Sequence, residues 1–192
     1  MNKKLIILGS DKISNLYEKK LYKYKNIIIV RDVSANIKRA LKLFIKRSIK
    51  LDALIKISYA NILRNKTKVD ADIKKIRNNA EILDICKKEN INRIILFRCA
   101  LIIKPKLFNS KIQLVNIHCS DLPSYPGLGA IHRAIKNKDF EQNACAHIIT
   151  NHIDGGEILH KMKYTLDPKK TYIENENLAY ETGYKLLIKY LI

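Results

Sequence analysis

Short apolar runs alternating with stretches of helical spacing constrain this chain more than any other feature, because a layered α/β sheet buries both kinds of segment. "KKLIILGS" at residues 3–10 reads as a strand ending in Gly, "ISNLYEKKLYKY" carries helical spacing, and "NIIIVRD" is a second apolar strand. A strand, a turn, a helix and a strand in that order point to parallel pairing. The pattern continues with a helix in "NAEILDICKKEN" and strands in "INRIILFRCA" and "IQLVNIH". Pro105 opens a short helical stretch, and "GAIHRAIKN" is a helix. "NACAHIITNHI" and "GEILHKMKY" read as a hairpin-like pair, which makes the sheet mixed, and residues 171–191 as a closing helix. The expected architecture is a single α/β domain over residues 1–192, a mostly parallel mixed sheet flanked by helices.

A chain of 192 residues that is 47% hydrophobic is large enough to bury a core and is not of the disordered class. No apolar run approaches the roughly 18 residues needed to span a bilayer. The start is basic then apolar, but its apolar core is only "LIIL", shorter than the roughly 7 residues of a signal-peptide core, so a cytoplasmic protein is expected. Cys86, Cys99, Cys119 and Cys145 show no paired spacing and sit in apolar contexts, which favours free thiols. Lys and Arg total 37 against 18 Asp and Glu, a net charge of +19 that favours an anionic partner. The cations are spread along the chain and no nucleic-acid-binding signature accompanies them, so specific nucleic-acid binding is not expected. Residues 35–64 interleave apolar positions with Lys and Arg at helical spacing. The apolar stripe has ordinary width, which reads as a core-packing helix with a solvated basic face, and contact with a membrane surface is the lesser expectation.

"NIHCSDLPSYPGLGAIH", residues 116–132, breaks with its surroundings. Its prolines and glycines stop a helix or strand from running through it. The strand ending "VNIH" places Asn116 and His118 on one face, because side chains alternate along a strand. Ligands of open α/β sheets bind beyond the strand ends. Asn supplies a neutral amide donor, and His carries a proton or, when charged, donates as a cation. "HIITNHIDGGE" then ends with Asp154 and two glycines, which let the backbone turn tightly beside a ligand. A carboxylate near an imidazole raises its pKa and fixes its orientation. The three residues form a set suited to stabilising an oxyanion and moving a proton. His118, Cys119, Cys145 and His147 lack the spacing of zinc ligands, so no metal is expected. His132, His152 and His160 read as packing, capping or solvent-facing, and Ser120, Leu122, Pro123 and Gly127 as loop scaffold.

"NIHCSDLPSYPG" followed by "HIDGGEIL" resembles the folate-dependent formyltransferase family, whose loop reads Asn-x-His-x-Ser-x-Leu-Pro and then Gly. The match runs from "FRCALIIKP" to "GGEILHK". The resemblance implies a Rossmann-like formyltransferase domain that uses 10-formyltetrahydrofolate as cosubstrate and no metal. It assigns Asn116, His118 and Asp154 as catalytic: Asn116 and a protonated His118 stabilise the oxyanion, while Asp154 holds the imidazole and helps move the proton through water. It places the pterin against residues 97–103 and 150–154, with Phe97, Ala100, Leu101, Ile102, Thr150, Asn151 and Ile153 as contacts, largely through backbone groups. Cys119 stands where the family usually has Pro and reads as filler.

The same resemblance leaves the acceptor amine open among glycinamide ribonucleotide, methionyl-tRNA and nucleotide-linked amino sugars, with a hydrolytic branch beside them. The tRNA enzyme normally carries a second, β-rich domain and the hydrolase an N-terminal regulatory one, and neither is expected here. The purine enzyme has a Gly-rich phosphate loop after its first strand. Here "GSDKISNL" keeps Ser14 and Asn15 but puts Asp11 and Ile13 where glycines are expected. An Asp repels phosphate, and Ile resists the positive φ open to Gly. Gly9, Ser10, Ser14, Asn15 and Glu176 are the expected acceptor contacts. Residues 35–64 replace what is a short connection in the purine enzyme and suit a larger anionic acceptor. The leading expectation is a small phosphate-bearing amine, a nucleotide-linked amino sugar. Glycinamide ribonucleotide is the alternative, favoured by "YPGLGAIHRAI", and a non-catalytic folate- or anion-binding member is the third reading. A homodimer is left open.

Overall fold

Leu5, Ile6, Ile7 and Leu8 are all fully buried, although successive side chains of a strand point to opposite faces. A strand apolar on both sides belongs in the middle of a covered sheet, and β1 (Lys3–Leu8) holds that place. The computed structural model describes residues 3–34, 51–64, 72–108 and 110–191. After β1 come α1 (Lys12–Leu21), β2 (Ile27–Asp32), α2 (Leu51–Leu63), β3 (Lys75–Ile76) and α3 (Asn79–Lys88). The chain continues with β4 (Ile91–Phe97), β5 (Gln113–His118), α4 (Ala130–Lys136), β6 (Glu141–Ile148), β7 (Ile158–Thr165) and α5 (Tyr172–Lys189). Pro105–Leu107 form a single 3-10 turn between β4 and β5.

The strands form one seven-stranded sheet in the order β3-β2-β1-β4-β5-β6-β7. Pairing is parallel from β3 to β5 and antiparallel across β5–β6 and β6–β7. The expected mixed sheet is therefore present, and β3, too short to carry a period, is a strand that the pattern did not show. Connections leave β1 toward β2 on one side while β4 lies on the other, so the β1–β4 boundary is the switch point of the sheet.

Each face has its own core. Ile6, Leu8, Ile95, Phe97, Val115 and Ile117 pack with Tyr17 and Leu21 of α1 and with Leu186 and Leu187 of α5. Leu5, Ile7, Ile94, Leu96 and Leu114 pack on the opposite face with Ile82 and Ile85 of α3. Capping sets the helix starts: Asp11 accepts from Ser14 N, Asn78 from Glu81 N, and Thr171 and Glu174 form a capping box at α5.

The helical reading of residues 35–64 holds for α2, while residues 35–50 lie outside the described residues. α2 packs on α4 and α5, burying Ala53 and Ala60. Asp52 at its start meets Lys136 Nζ at 3.0 Å and His132 Nε2 at 3.2 Å. Lys12 Nζ donates to the carbonyls of Ile62, at 2.8 Å, and Arg64 at its other end. No helix among the described residues is long and apolar enough to cross a membrane.

The β6–β7 connection is tight. Ile148 N donates to Glu157 O at 2.9 Å, and a Cβ on Gly156 would lie 1.9 Å from the Ile148 carbonyl oxygen. Backbone cannot swing aside as a side chain can. Gly156→Ala is therefore expected to cost roughly 1–3 kcal/mol of stability, read as a lower urea midpoint with an unchanged slope.

Candidate active site

β5 is the last of the parallel strands, and its antiparallel neighbour β6 decides what faces it. Asn116 pairs with His147 and His118 with Cys145 across β5–β6, so these four residues share one face. Asp154 reaches the same place from the β6–β7 connection, where its backbone takes φ +50°. That left-handed conformation is uncommon for residues other than Gly, though Asp tolerates it better than most. Gly156, two residues on, gives the turn its close approach to β6.

The Asp154 carboxylate is the centre of the cluster. Oδ1 accepts from Asn116 Nδ2 at 3.2 Å and lies 3.3 Å from His147 Nε2. Oδ2 lies 3.3 Å from His118 Nδ1 and accepts from Gly127 N at 2.7 Å. Gly127, at φ +73°, thus does more than shape the loop: its N–H is a ligand of the central carboxylate. His118 Nε2 lies 2.7 Å from the Tyr125 carbonyl oxygen. Both neighbours of the His118 ring are acceptors, so the ring satisfies both when it carries two protons.

Burial works against an ionised Asp154. The His147 contact, the His118 charge and the Gly127 N–H outweigh it and hold the carboxyl at about 2. For His118 the balance falls the other way. Burial pushes the imidazole below its ordinary value, against the upward pull of Asp154 and the Tyr125 carbonyl. One picture accommodates both directions: the carboxylate stays ionised, and the imidazole is the member whose proton moves. This opposes the resting positive charge on His118 that the sequence reading used.

His147 is the member of the cluster that the sequence reading left out. It is buried, its Nδ1 lies 3.0 Å from the Ile148 carbonyl oxygen, and its Nε2 lies 3.1 Å from Asn116 Nδ2. The same Nε2 lies 3.3 Å from Asp154 Oδ1, so the Asn116 amide, the His147 ring and the carboxylate meet at one point. The signal was present in the alternation that puts Cys145 and His147 on one face, but only the β5–β6 register sets that face beside Asn116. Cys119 lies on the opposite face against Gly183 of α5, and burial pushes its thiol well up, so it is neither a metal partner of His118 nor a ready nucleophile.

The loop between β5 and α4 is braced on several sides. Lys161 Nζ donates to Leu122 O at 2.8 Å and pairs with Asp121, Tyr164 Oη donates to Cys119 O at 2.7 Å, and Arg133 donates to the carbonyls of Leu128 and Pro126. Leu122 is 1% exposed and anchors it, as expected.

The expected folate contacts flank this centre unevenly. Ala100, Ile102, Asn151 and Ile153 are exposed, and Leu101 and Thr150 are half-buried. The Phe97 ring is buried in the core of the other face, against Tyr17 and Tyr180, so only its backbone is available for the expected contact. The expected acceptor contacts need a correction. Ser10 is exposed, but Gly9, Ser14, Asn15 and Glu176 are buried. Ser14 Oγ donates to Asp11 at 2.8 Å, and Asn15 accepts from Arg31 Nη1 at 2.6 Å beneath α1. Glu176 accepts from Arg64 at 2.5 Å and from Arg98 at 3.3 Å, and Arg98 also pairs with Asp11. The Arg98 guanidinium lies 4.3 Å from the Tyr180 ring centre. The start of α1, where an anion would be drawn by the helix dipole, is thus already occupied by the Asp11 carboxylate and neutralised by Arg98.

Residues 3–191 match the profile of a family described as formyl transferase. The chain belongs to the formyl transferase family. A stretch of 114 residues, 59% of the chain, is 31% identical to the methionyl-tRNA formyltransferase of Rickettsia rickettsii and spans 38% of that protein. Two solved structures share the fold. The phosphoribosylglycinamide formyltransferase of Anaplasma phagocytophilum superposes with a TM-score of 0.66 at 18% identity, covering 98% of this chain and 85% of the other. An N-formyltransferase of Helicobacter canadensis, in complex with folinic acid and dTDP-3-aminofucose, gives 0.61 at 18% identity, covering 98% and 62%.

The depressed Asp154 value sets a pH dependence. A carboxyl whose folded pKa lies below its unfolded value stabilises the fold while ionised, fully above the unfolded value near 3.8, and loses that contribution as pH falls toward 2. The difference corresponds to roughly 2 kcal/mol. Urea unfolding at steps from pH 5 to pH 2 is expected to show this loss in the wild type and to lack it in Asp154→Asn. In His147→Ala the loss is smaller and is complete at a higher pH, because the folded value moves toward the unfolded one.

Proposed function

We propose that this chain transfers a formyl group from 10-formyltetrahydrofolate to a primary amine, and that the amine belongs to a nucleotide-linked amino sugar. The observation that carries the transfer is the convergence of Asn116, His118 and Asp154 from β5 and the β6–β7 turn onto one face, with the carboxylate ionised and the imidazole poised to gain a proton. The amine nitrogen attacks the formyl carbon, and the carbonyl oxygen becomes an oxyanion. That oxygen takes the Asn116 N–H hydrogen now donated to Asp154. His118 accepts the proton released by the amine, and Asp154 stabilises the imidazolium so formed. When the bond from the formyl carbon to folate N10 breaks, His118 returns the proton to that nitrogen, leaving a formamide and tetrahydrofolate. The exposed Ala100, Ile102 and residues 151–153 lie on either side of this centre in the chain path and suit the pterin, in keeping with the folinic acid named with the Helicobacter protein.

The acceptor reading rests on Asp11. A terminal phosphate at the start of α1 meets a carboxylate already paired with Arg98, which disfavours a phosphoribosyl substrate held there. A nucleotide-linked sugar presents its phosphates as an internal diphosphate, away from the reacting amine, and the net charge of +19 suits such an anion. The chain-long superposition on the Anaplasma enzyme keeps glycinamide ribonucleotide as the second reading.

Incubating the protein with 10-formyltetrahydrofolate and a panel of amines decides between them. The panel holds glycinamide ribonucleotide and several dTDP- and UDP-linked amino sugars, and folate release is followed. Turnover confined to the sugars is expected, and turnover with glycinamide ribonucleotide alone overturns the acceptor reading. His118→Ala and Asp154→Ala are each expected to lower kcat by roughly 10²–10⁴, and full activity in either ends the mechanism. Because burial lowers the His118 value, kcat/KM is expected to rise on an acid limb centred below 6.5 and to be flat above it.

A further inference from the structure

Asp32 closes β2 and is 1% exposed, yet it is separated from the catalytic strand by β1 and β4. Its carboxylate is committed to the backbone that follows β4. Oδ2 accepts from Ala100 N and from Leu101 N, both at 2.7 Å, and the Cys99 thiol lies 3.4 Å from the same oxygen. Oδ1 accepts from Ser34 N at 2.8 Å. One oxygen receiving two consecutive N–H groups forces the chain to curve around it, as in an anion nest. A second fastening lies two residues on. Asn79, the first residue of α3, donates Nδ2 to Ile102 O and accepts from Lys104 N, both at 3.0 Å. Residues 100–104 are thereby tied on one side by four backbone groups, while the Ile102 side chain stands 58% exposed. This strap leaves β4 just beyond Leu96 and Phe97, the register partners of Asn116 and Ile117.

We propose that Asp32, assisted by Asn79, is a positioning residue for the formyl donor. It fixes the strap so that Ile102 and the backbone edge left unfastened meet the pterin. The inference rests on the reading that this strap lines the folate site. It also narrows which backbone groups can read the pterin, since Ala100 N and Leu101 N are already held by Asp32. The acceptor side does not depend on this tether, because Arg98 is anchored separately by Asp11, Glu176 and the Tyr180 ring.

The test measures binding of 5-formyltetrahydrofolate, an unreactive probe, to wild type, Asp32→Ala, Asp32→Asn and Asn79→Ala by calorimetry. Steady-state kinetics with the best amine of the panel and a melting curve accompany each variant. Asp32→Ala and Asn79→Ala are expected to weaken probe binding at least about tenfold, the first by leaving the part-buried N–H groups of Ala100 and Leu101 without their acceptor, the second by releasing Ile102 and Lys104 from α3. Asp32→Asn, which keeps one oxygen for the strap, falls between them and wild type. The KM for 10-formyltetrahydrofolate follows the probe, while kcat at saturating donor and the KM for the amine stay within about threefold, a split that general loosening of the fold does not produce. Probe affinity within about threefold of wild type in both alanine variants overturns the inference, and so does equal loss of donor and acceptor affinity. If Asp32→Ala does not fold, Asn79→Ala decides by the same criteria. Failure of the wild type itself to bind the probe removes the donor reading, and this inference with it.

Discussion

A single ionised carboxylate organises the working end of this protein. Asp154 accepts from Asn116 on β5 and from Gly127 in the following loop, and it lies against His118 on β5 and His147 on β6. These groups come from β5, the loop after it and β6, and the carboxylate is where they meet. Burial alone would raise its pKa, and the surrounding donors reverse that balance. The charge in turn gives the buried imidazole of His118 a place to put a proton, because the cation that results is formed beside its counter-ion.

The rest of the fold delivers these parts to one place. The antiparallel β6 sets His147 beside Asn116, the tight passage at Gly156 turns the chain back so that Asp154 points at β5, and the braced loop presents Gly127. On the neighbouring side, Arg98 stands at the switch point of the sheet between Asp11 and Glu176, with Arg64 of the segment after α2 completing the row. Two cations and two carboxylates there neutralise one another. The start of α1 is consequently a closed ion network, which is why the residues expected to meet the acceptor are mostly occupied by internal partners.

Much of this was legible in the residues. Six of the seven strands and the main helices follow from apolar runs and 3.6-residue spacing, and β3 escaped because two residues carry no period. Asn116, His118 and Asp154 stood out because Asn and His alternate at a strand end and Asp precedes paired glycines. His147 did not, since its alternation with Cys145 says which residues share a face but not which strand they face. Ser14, Asn15 and Glu176 were misplaced for a related reason. Polar residues near a helix start suit a ligand or an internal cap equally well, and only the positions of Arg31, Arg64 and Arg98 decide between them.

The sequence by itself determined the local alphabet: where strands and helices form, where the chain must turn, and which three side chains have chemistry to offer. These depend on periodicity, on Gly and Pro, and on intrinsic donor and acceptor character, all of which are properties of short segments. Only the tertiary structure decided the protonation balance, the place of His147, the closure of the α1 start and the tether at Asp32. Each of those depends on distances and burial between residues far apart in the chain, and Asp32 with Leu101, 69 residues apart, is the plainest case.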